Sequence, residues 1–169
     1  MADHPRQWLV KSLERHLLLA FRERGFELVP LTADQAKSRE YRTAFPFGHL
    51  RRPKADGIDL VEVQLDKRGA AAFRLNFGIA PKGGMNHPSF GFLAEADVNV
   101  QSLPVFYEAY SCPVLWRWFR VPRRWFGRSV SKADIEKFVV SHLDLVDEVE
   151  GVLRGRRRGR HIRVAQMWR

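Results

Sequence analysis

The residues best suited to chemistry in this chain are polar side chains that alternate with apolar ones along two neighbouring segments. Glu62 and Gln64 lie in the first segment, and Arg74 and Asn76 lie in the second. A guanidinium and two amides can converge on a carboxylate, a phosphate or the edge of a peptide. Glu62 and Arg74 would instead form a buried acid with its orienting partner, or an ion pair that stabilises a solvated sheet face. The pattern favours a binding surface and leaves these two alternatives open.

Residues for a metal site or a nucleophilic active site do not occur at the required spacing. The histidines considered as ligands lack the H-E-x-x-H arrangement or a comparable one; they are His4, His49, His87, His142 and His161. Cys112 is the only cysteine, which excludes an internal disulfide and a cysteine cluster. An enzyme would need a pocket that gathers Glu62 or Cys112 with a histidine. We therefore predict no metal, no cofactor and no catalytic residue, and leave enzymatic activity undecided.

Aromatic residues interleaved with arginines make residues 112–126 the most unusual segment of the chain. The aromatic residues are Trp116, Trp118, Phe119, Trp125 and Phe126, and the arginines are Arg117, Arg120, Arg123 and Arg124. Such a composition can stack on bases or bind phosphates, which makes Trp116 and Arg117 candidate binding residues. Alternatively, the aromatic residues complete the core while the arginines project to solvent or pair with acidic residues.

Positive charge is concentrated in residues 154–169. The formal net charge of the chain is +10, and this segment contains seven arginines and no acidic residue, so the remainder is only mildly basic. Nucleic acid is a natural partner for such a segment. The candidate nucleic-acid-binding residues are Arg154, Arg156, Arg157, Arg158 and Arg160. In two alternatives the arginines pair with carboxylates of the preceding helix, or residues 161–168 fold back as a strand, because Ile162, Val164 and Trp168 alternate with other residues.

Alternation with a period of two predicts three strands that position the polar residues. In the first, Tyr41, Thr43, Phe45 and Phe47 alternate with Arg42, Ala44 and Pro46. Residues 61–65 and 73–79 form the second and third strands, and residues 66–69 supply turn chemistry between them. The second and third strands therefore predict an antiparallel hairpin.

The register of this hairpin follows from its faces. Pairing Leu65 with Ala71 places Glu62 opposite Arg74, and the alternative register is shifted by two residues. Both registers put the odd-numbered apolar residues on one face and the even-numbered polar residues on the other. We expect Arg42 to join the polar face from the first strand.

Two helices are expected to cover the apolar face. The first begins near Asp3 and ends at Gly25, and the second begins at Ser131, with Asp134 in a capping-box position, and continues to Leu153. Both carry apolar residues at helical spacing. The expected fold class is α+β, a single antiparallel sheet of about four to six strands packed on one face by the N-terminal and C-terminal helices.

These motifs resemble a bacterial family catalogued as domain of unknown function 4304. The resemblance rests on the first helix, the Arg24-Gly25-Phe26 step, the aromatic first strand, the Gln64 strand and above all the run Phe73-Arg74-Leu75-Asn76-Phe77-Gly78-Ile79. It covers roughly residues 8–80 and, more loosely, residues 112–125. The resemblance implies the same order of elements but no activity, since the family is uncharacterised. The arginine-rich segment departs from the family pattern.

Together these patterns predict one α+β domain over residues 1–153 and an arginine-rich tail over residues 154–169. The predicted function is a binding or interaction module that uses the polar sheet face, with a protein or an anionic small molecule as partner. The alternative is nucleic-acid binding through the tail and the Trp/Arg segment. No apolar run reaches the roughly 20 residues that span a bilayer, and no secretory leader is evident, so we expect a cytoplasmic protein.

Overall fold

The computed structural model describes residues 5–111, 117–122, 130–156 and 159–166. Its helices are α1 (Pro5–Ser12), α2 (Leu19–Glu23), α3 (Ala33–Lys37), α4 (Arg39–Ala44), α5 (Lys132–Val140) and α6 (Asp144–Leu153), with a π-helical segment (Leu13–Leu18) between α1 and α2 and a 3-10 turn at Val100–Ser102. Its strands are β1 (Glu27–Val29), β2 (His49–Pro53), β3 (Gly57–Leu65), β4 (Ala72–Pro81), β5 (Met85–His87), β6 (Gly91–Leu93), β7 (Val105–Ala109), β8 (Phe119–Arg120) and β9 (Ile162–Gln166). Within these residues, no helix is long and apolar enough to cross a membrane.

The sheet confirms the α+β prediction. Seven strands pair antiparallel, more than the four to six expected, in the order β1-β2-β3-β4-β7-β9, with β8 also paired to β4. The odd-numbered residues of β3 and β4 face the helices: Phe73, Leu75 and Phe77 are fully buried in one core with Leu13 and Val149. We call this side of the sheet the odd face and the opposite side, which carries Gln64 and Arg74, the even face.

The predicted first strand is wrong, because residues 39–44 are helical. Thr32 and Gln35 form a capping box at the start of α3, and the Ser38 hydroxyl then caps α4 by accepting a hydrogen bond from the Tyr41 amide at 3.2 Å. These short-range bonds satisfy amides at the helix ends and so favour helix over strand. Arg42 is consequently exposed on α4 and does not belong to the sheet.

The β3–β4 hairpin forms in the second of the two registers. Leu65 pairs with Phe73 and Gln64 pairs with Arg74, so the pairing of Glu62 with Arg74 is wrong and Glu62 lies opposite Asn76. The turn decides the register: the Arg68 amide donates to Asp66 Oδ1 at 2.7 Å, and the Asp66 amide donates to the Ala72 carbonyl at 3.1 Å. The shift of two residues leaves every side chain on its predicted face.

Part of the even face is covered by a small second core. Val98, Val100 and Leu103 pack on Leu60 and Phe106. The segment that supplies this cover contains the 3-10 turn Val100–Ser102. Elsewhere on the even face, Gln64 and Arg74 are only half-buried by the described residues.

The C-terminal helices agree with the prediction at their start and differ in the middle. Ser131 and Asp134 form the expected capping box, with the Asp134 amide donating to Ser131 Oγ at 3.2 Å. The predicted single helix is broken after Val140 and resumes at Asp144. Residues 162–166 then fold back as β9 on the edge of β7, as their alternation indicated.

A cluster of buried charges joins α6 to β2 and β3. Asp59, which is 0% exposed, accepts hydrogen bonds from Arg52 Nε at 3.1 Å and Arg52 Nη2 at 2.7 Å, and Lys54 Nζ lies 2.8 Å from its other oxygen. Arg52 Nη1 also lies 2.6 Å from Glu150 Oε1, and Arg154 pairs with the second oxygen of Glu150 at 2.8 Å. These contacts fix the end of α6 against the sheet.

Candidate functional site

Two cavities that share part of their walls form what we call the groove, and the first of them lies on the even face. The first, which we call the Arg74 cavity, has a volume of about 450 Å³ and is lined by residues that include Tyr41, Gln64, Lys67, Arg74, Gln101 and Trp118. The second, the Phe90 cavity, has a volume of about 470 Å³ and is lined by residues that include Tyr41, His87, Phe90, Leu93, Asp97 and Gln101. Tyr41 and Gln101 belong to both walls, so the cavities are adjacent. Each falls in the size range of small-molecule sites.

Gln64 lines the Arg74 cavity and accepts hydrogen bonds from two other polar side chains of the even face. Its Oε1 accepts a hydrogen bond from Arg74 Nε at 2.7 Å and another from Asn76 Nδ2 at 2.9 Å. The antiparallel register brings these three side chains together, because Gln64 and Arg74 are directly paired and Asn76 is two residues further along the same face. The geometry fixes the Arg74 guanidinium in place.

Arg74 shares one carboxylate with a second arginine. Arg74 Nη1 lies 3.2 Å from Glu108 Oε1, while Arg163 Nε and Nη2 donate to Glu108 Oε2 at 3.1 and 2.6 Å. The indole of Trp118 packs on the Arg74 guanidinium at 4.9 Å. One acidic group thus faces two guanidinium groups, and Arg74 is the member of this trio that lines the cavity.

The environment of Arg74 reflects both burial and neighbouring charge. Burial is the largest cause that lowers the pKa of the Arg74 guanidinium, and the Glu108 carboxylate opposes this effect. Arg163 and Arg117 lower the pKa further, so both lie within electrostatic reach of Arg74. An anion bound beside Arg74 would relieve this repulsion.

A histidine and a glutamate are buried beside the groove, under the 3-10 turn. Glu62, which is 1% exposed, accepts a hydrogen bond from the Val100 amide at 3.2 Å. His49 Nδ1 lies 3.0 Å from Glu62 Oε1, an ion-pair distance without hydrogen-bond alignment, and His49 Nε2 contacts Gln35 Oε1 at 3.1 Å. Glu62 Oε2 and Asn76 Oδ1 are buried without a hydrogen-bond partner among the described residues. The pair supports the cavity wall but is too buried to reach a substrate.

Tyr41 gives a pH-dependent test of this part of the structure. Burial, and to a lesser extent the Glu62 carboxylate, raise the pKa of Tyr41 above its ordinary value of 10.0. The folded state therefore holds the phenol proton where the unfolded state releases it, so stability falls as the pH rises above about 10. We expect Tyr41→Phe to reduce this decline, measured by urea unfolding between about pH 9 and 11, whereas Tyr107→Phe serves as the control. Equal declines in Tyr41→Phe and wild type would contradict the assignment.

The structure brings together some of the predicted site residues and separates others. Gln64, Arg74 and Asn76 converge as expected, and Arg117 is exposed within the reach of Arg74. Glu62 lies on the same face but is sealed beneath the 3-10 turn. Trp116 lies outside the described residues.

The structure describes three of the five arginines predicted to bind nucleic acid. Arg154, Arg156 and Arg160 are all exposed, and Arg154 also pairs with Glu150. Arg157 and Arg158 lie outside the described residues.

The sequence does not predict several residues of the site, and it gives a different amount of information about each of them. Trp118 stood out by composition, but nothing in the sequence placed it on Arg74. Glu108 and Arg163 are 55 residues apart and become neighbours only through the pairing of β7 with β9. Alternation predicts Tyr41 on a strand, so the sequence does not indicate its position between the cavities.

Neither a metal site nor a known relative defines the chemistry of the groove. Among the described residues, no group of three or more histidine, cysteine, aspartate or glutamate side chains could hold a metal ion. In comparisons with known proteins, no family model, no curated protein and no solved structure matches the chain. The function must therefore be argued from the groove itself.

Proposed function

We propose that this protein is a binding module whose Arg74 cavity takes the anionic group of a ligand, either a carboxylate or a phosphate. The observation that carries the proposal is the sharing of Glu108 by Arg74 and Arg163. Two guanidinium groups around one carboxylate leave a net positive charge, and an arginine held by Gln64 is pre-positioned to bind an oxyanion. Kinship with the family catalogued as domain of unknown function 4304 and a cytoplasmic location belong to the same proposal.

The cavity also has the other features of a ligand site. Its wall combines an aromatic ring, Trp118, with polar groups from Gln64 and Gln101 and a second cation, Lys67. Lys67 Nζ lies 2.6 Å from Glu40 Oε1 on the exposed rim, so it contributes less to the local charge than Arg74 does. Mixed apolar and polar walls with a few convergent donors are typical of small-molecule sites.

Substitution of Arg74 tests the proposal directly. We expect Arg74→Gln to weaken the binding of inorganic phosphate about 10-fold or more, because a charge-assisted hydrogen bond contributes about 1.5 to 3 kcal/mol. The measurement is a titration followed by the amide NMR signals of Gln64, Arg74 and Gln101. The control is Arg42→Gln, which removes the same charge from the exposed side of α4.

Two results would contradict this proposal. One is the absence of phosphate-dependent shifts at the three cavity amides in the wild-type protein. The other is equal phosphate affinity in Arg74→Gln and Arg42→Gln. Thermal unfolding of both variants establishes that a loss of affinity does not come from a loss of fold.

Nucleic-acid binding is the second candidate, and the exposure of Arg156 and Arg160 favours it. Deleting the segment is a poor test, since β9 starts at Ile162 and belongs to the sheet. We expect the double substitution Arg156→Glu with Arg160→Glu to lower the affinity for RNA and DNA. The affinity should also depend less steeply on salt, because binding with fewer phosphate contacts releases fewer counterions. Unchanged affinity at two ionic strengths would exclude these two arginines as the contact.

A further inference from the structure

The Phe90 cavity adds an aromatic wall to the groove. Phe90 is 73% exposed and stacks on the His87 ring, with 4.6 Å between ring centroids and 30° between their planes. A large aromatic side chain exposed to this extent in a cavity leaves surface on which a second flat ring can stack. Leu93 extends the apolar part of the wall.

The hairpin that carries Phe90 holds it in a defined position. His87 pairs with Gly91 across the β5–β6 ladder, and Gly91 adopts φ +70°, which permits the tight return of the chain. The Ser89 amide donates to His87 Nδ1 at 3.1 Å. At the base of the hairpin, Met85 and Leu93 pack against the second core, so the hairpin is anchored to the sheet.

Hydrogen-bond acceptors lie in the same cavity. Asp97 contributes a carboxylate and Gln101 an amide, and Gln101 also lines the Arg74 cavity. The neighbouring Asn99 and Ser102 use their side chains to cap the 3-10 turn, with the Ser102 amide donating to Asn99 Oδ1 at 2.9 Å. The groove therefore has a cationic end and an aromatic end, with polar groups beside and between them.

From this juxtaposition we propose that the ligand is a small molecule in which a flat aromatic ring is joined to an anionic group. The anion lies beside Arg74 and the ring stacks on Phe90. This inference rests on the proposed function, because it uses the Arg74 cavity as the anion site. Nucleoside monophosphates and aromatic carboxylates are the two sources of this chemistry.

The experiment compares joined probes with their separate parts. Adenosine monophosphate is titrated beside adenosine and inorganic phosphate, and indole-3-acetate is titrated beside acetate, with amide NMR signals of both cavities as the readout. In at least one arm the joined probe should bind at least about fivefold tighter than either the anion or the uncharged ring compound alone, because stacking on an aromatic side chain gives a gain of this size. The arm that shows the gain identifies the source.

Two phenylalanines of the hairpin supply a matched pair of variants. Phe90→Ala should abolish the gain from the aromatic ring and leave the affinity for inorganic phosphate unchanged. Phe92→Ala should keep the gain, since Phe92 is 63% exposed on the same hairpin but does not line the cavity.

The outcomes separate this inference from the proposed function. If phosphate or acetate binds but neither joined probe binds more tightly, or if Phe90→Ala keeps the gain, the inference is overturned and the proposed function stands. If no anion binds at the Arg74 cavity, both are overturned.

Discussion

Replacing Asp59 with alanine should lower the free energy of unfolding by about 3 to 5 kcal/mol. The carboxylate is fully buried and receives two hydrogen bonds from Arg52 and an ion pair from Lys54. Its removal leaves the Arg52 guanidinium close to Lys54 with Glu150 as its remaining acidic partner. Removal of one partner from a buried ion-pair network is much more destabilising than replacement of the whole network, because the remaining cations are left only partly compensated.

Urea unfolding of Asp59→Ala and Asp59→Asn measures this effect. Asn keeps the size of Asp and an acceptor for Arg52 but not the charge. The decrease in the free energy of unfolding should therefore be smaller for Asp59→Asn than for Asp59→Ala. Asp34→Ala is the control, since Asp34 forms an exposed pair with Lys37 and its loss should change little. A change of less than about 1 kcal/mol for Asp59→Ala would show that solvent compensates the arginine and that the cluster is not a main source of stability.

Replacing Glu62 with alanine should cost about 3 kcal/mol, and the effect should centre on the wall of the groove. The Val100 amide would lose its buried acceptor and His49 would lose its acidic neighbour. Because the 3-10 turn that begins at Val100 contributes Gln101 to both cavities, the groove should become more mobile as well.

Amide hydrogen exchange at Val100 distinguishes a local from a global effect. In Glu62→Ala the Val100 amide should exchange faster than the loss of global stability alone requires. Glu62→Gln retains an acceptor oxygen and should preserve most of the protection. Equal protection of Val100 in Glu62→Ala and wild type would show that the hydrogen bond to Glu62 does not hold the turn.

The hairpin shows how much of the site can be predicted from sequence. Alternation assigns each side chain of β3 and β4 to a face, which is why Gln64, Arg74 and Asn76 were placed together. Alternation does not distinguish two registers that differ by two residues, since both keep the same faces. The hydrogen bonds of Asp66 in the turn make that choice, and they depend on backbone geometry.

Other parts of the site depend on contacts that no local pattern contains. The alternation of Tyr41, Thr43 and Phe45 is typical of a strand, yet residues 39–44 form α4. A helix of six residues is too short to develop a period of 3.6, and the Ser38 cap favours the helix. The meeting of Arg74 with Glu108 requires the pairing of β4 with β7. Such long-range neighbours become visible only in the folded chain.

The position of β9 has a consequence for how the protein is made. Glu108 and its partner Arg163 are 55 residues apart, so a ribosome releases β7 well before the strand that covers it. During that interval the nascent chain presents an uncovered row of amides and carbonyls, the kind of template on which polypeptides coalesce into aggregates. Chaperone dependence during synthesis should therefore be greatest after β7 has left the ribosome and before β9 has paired with it.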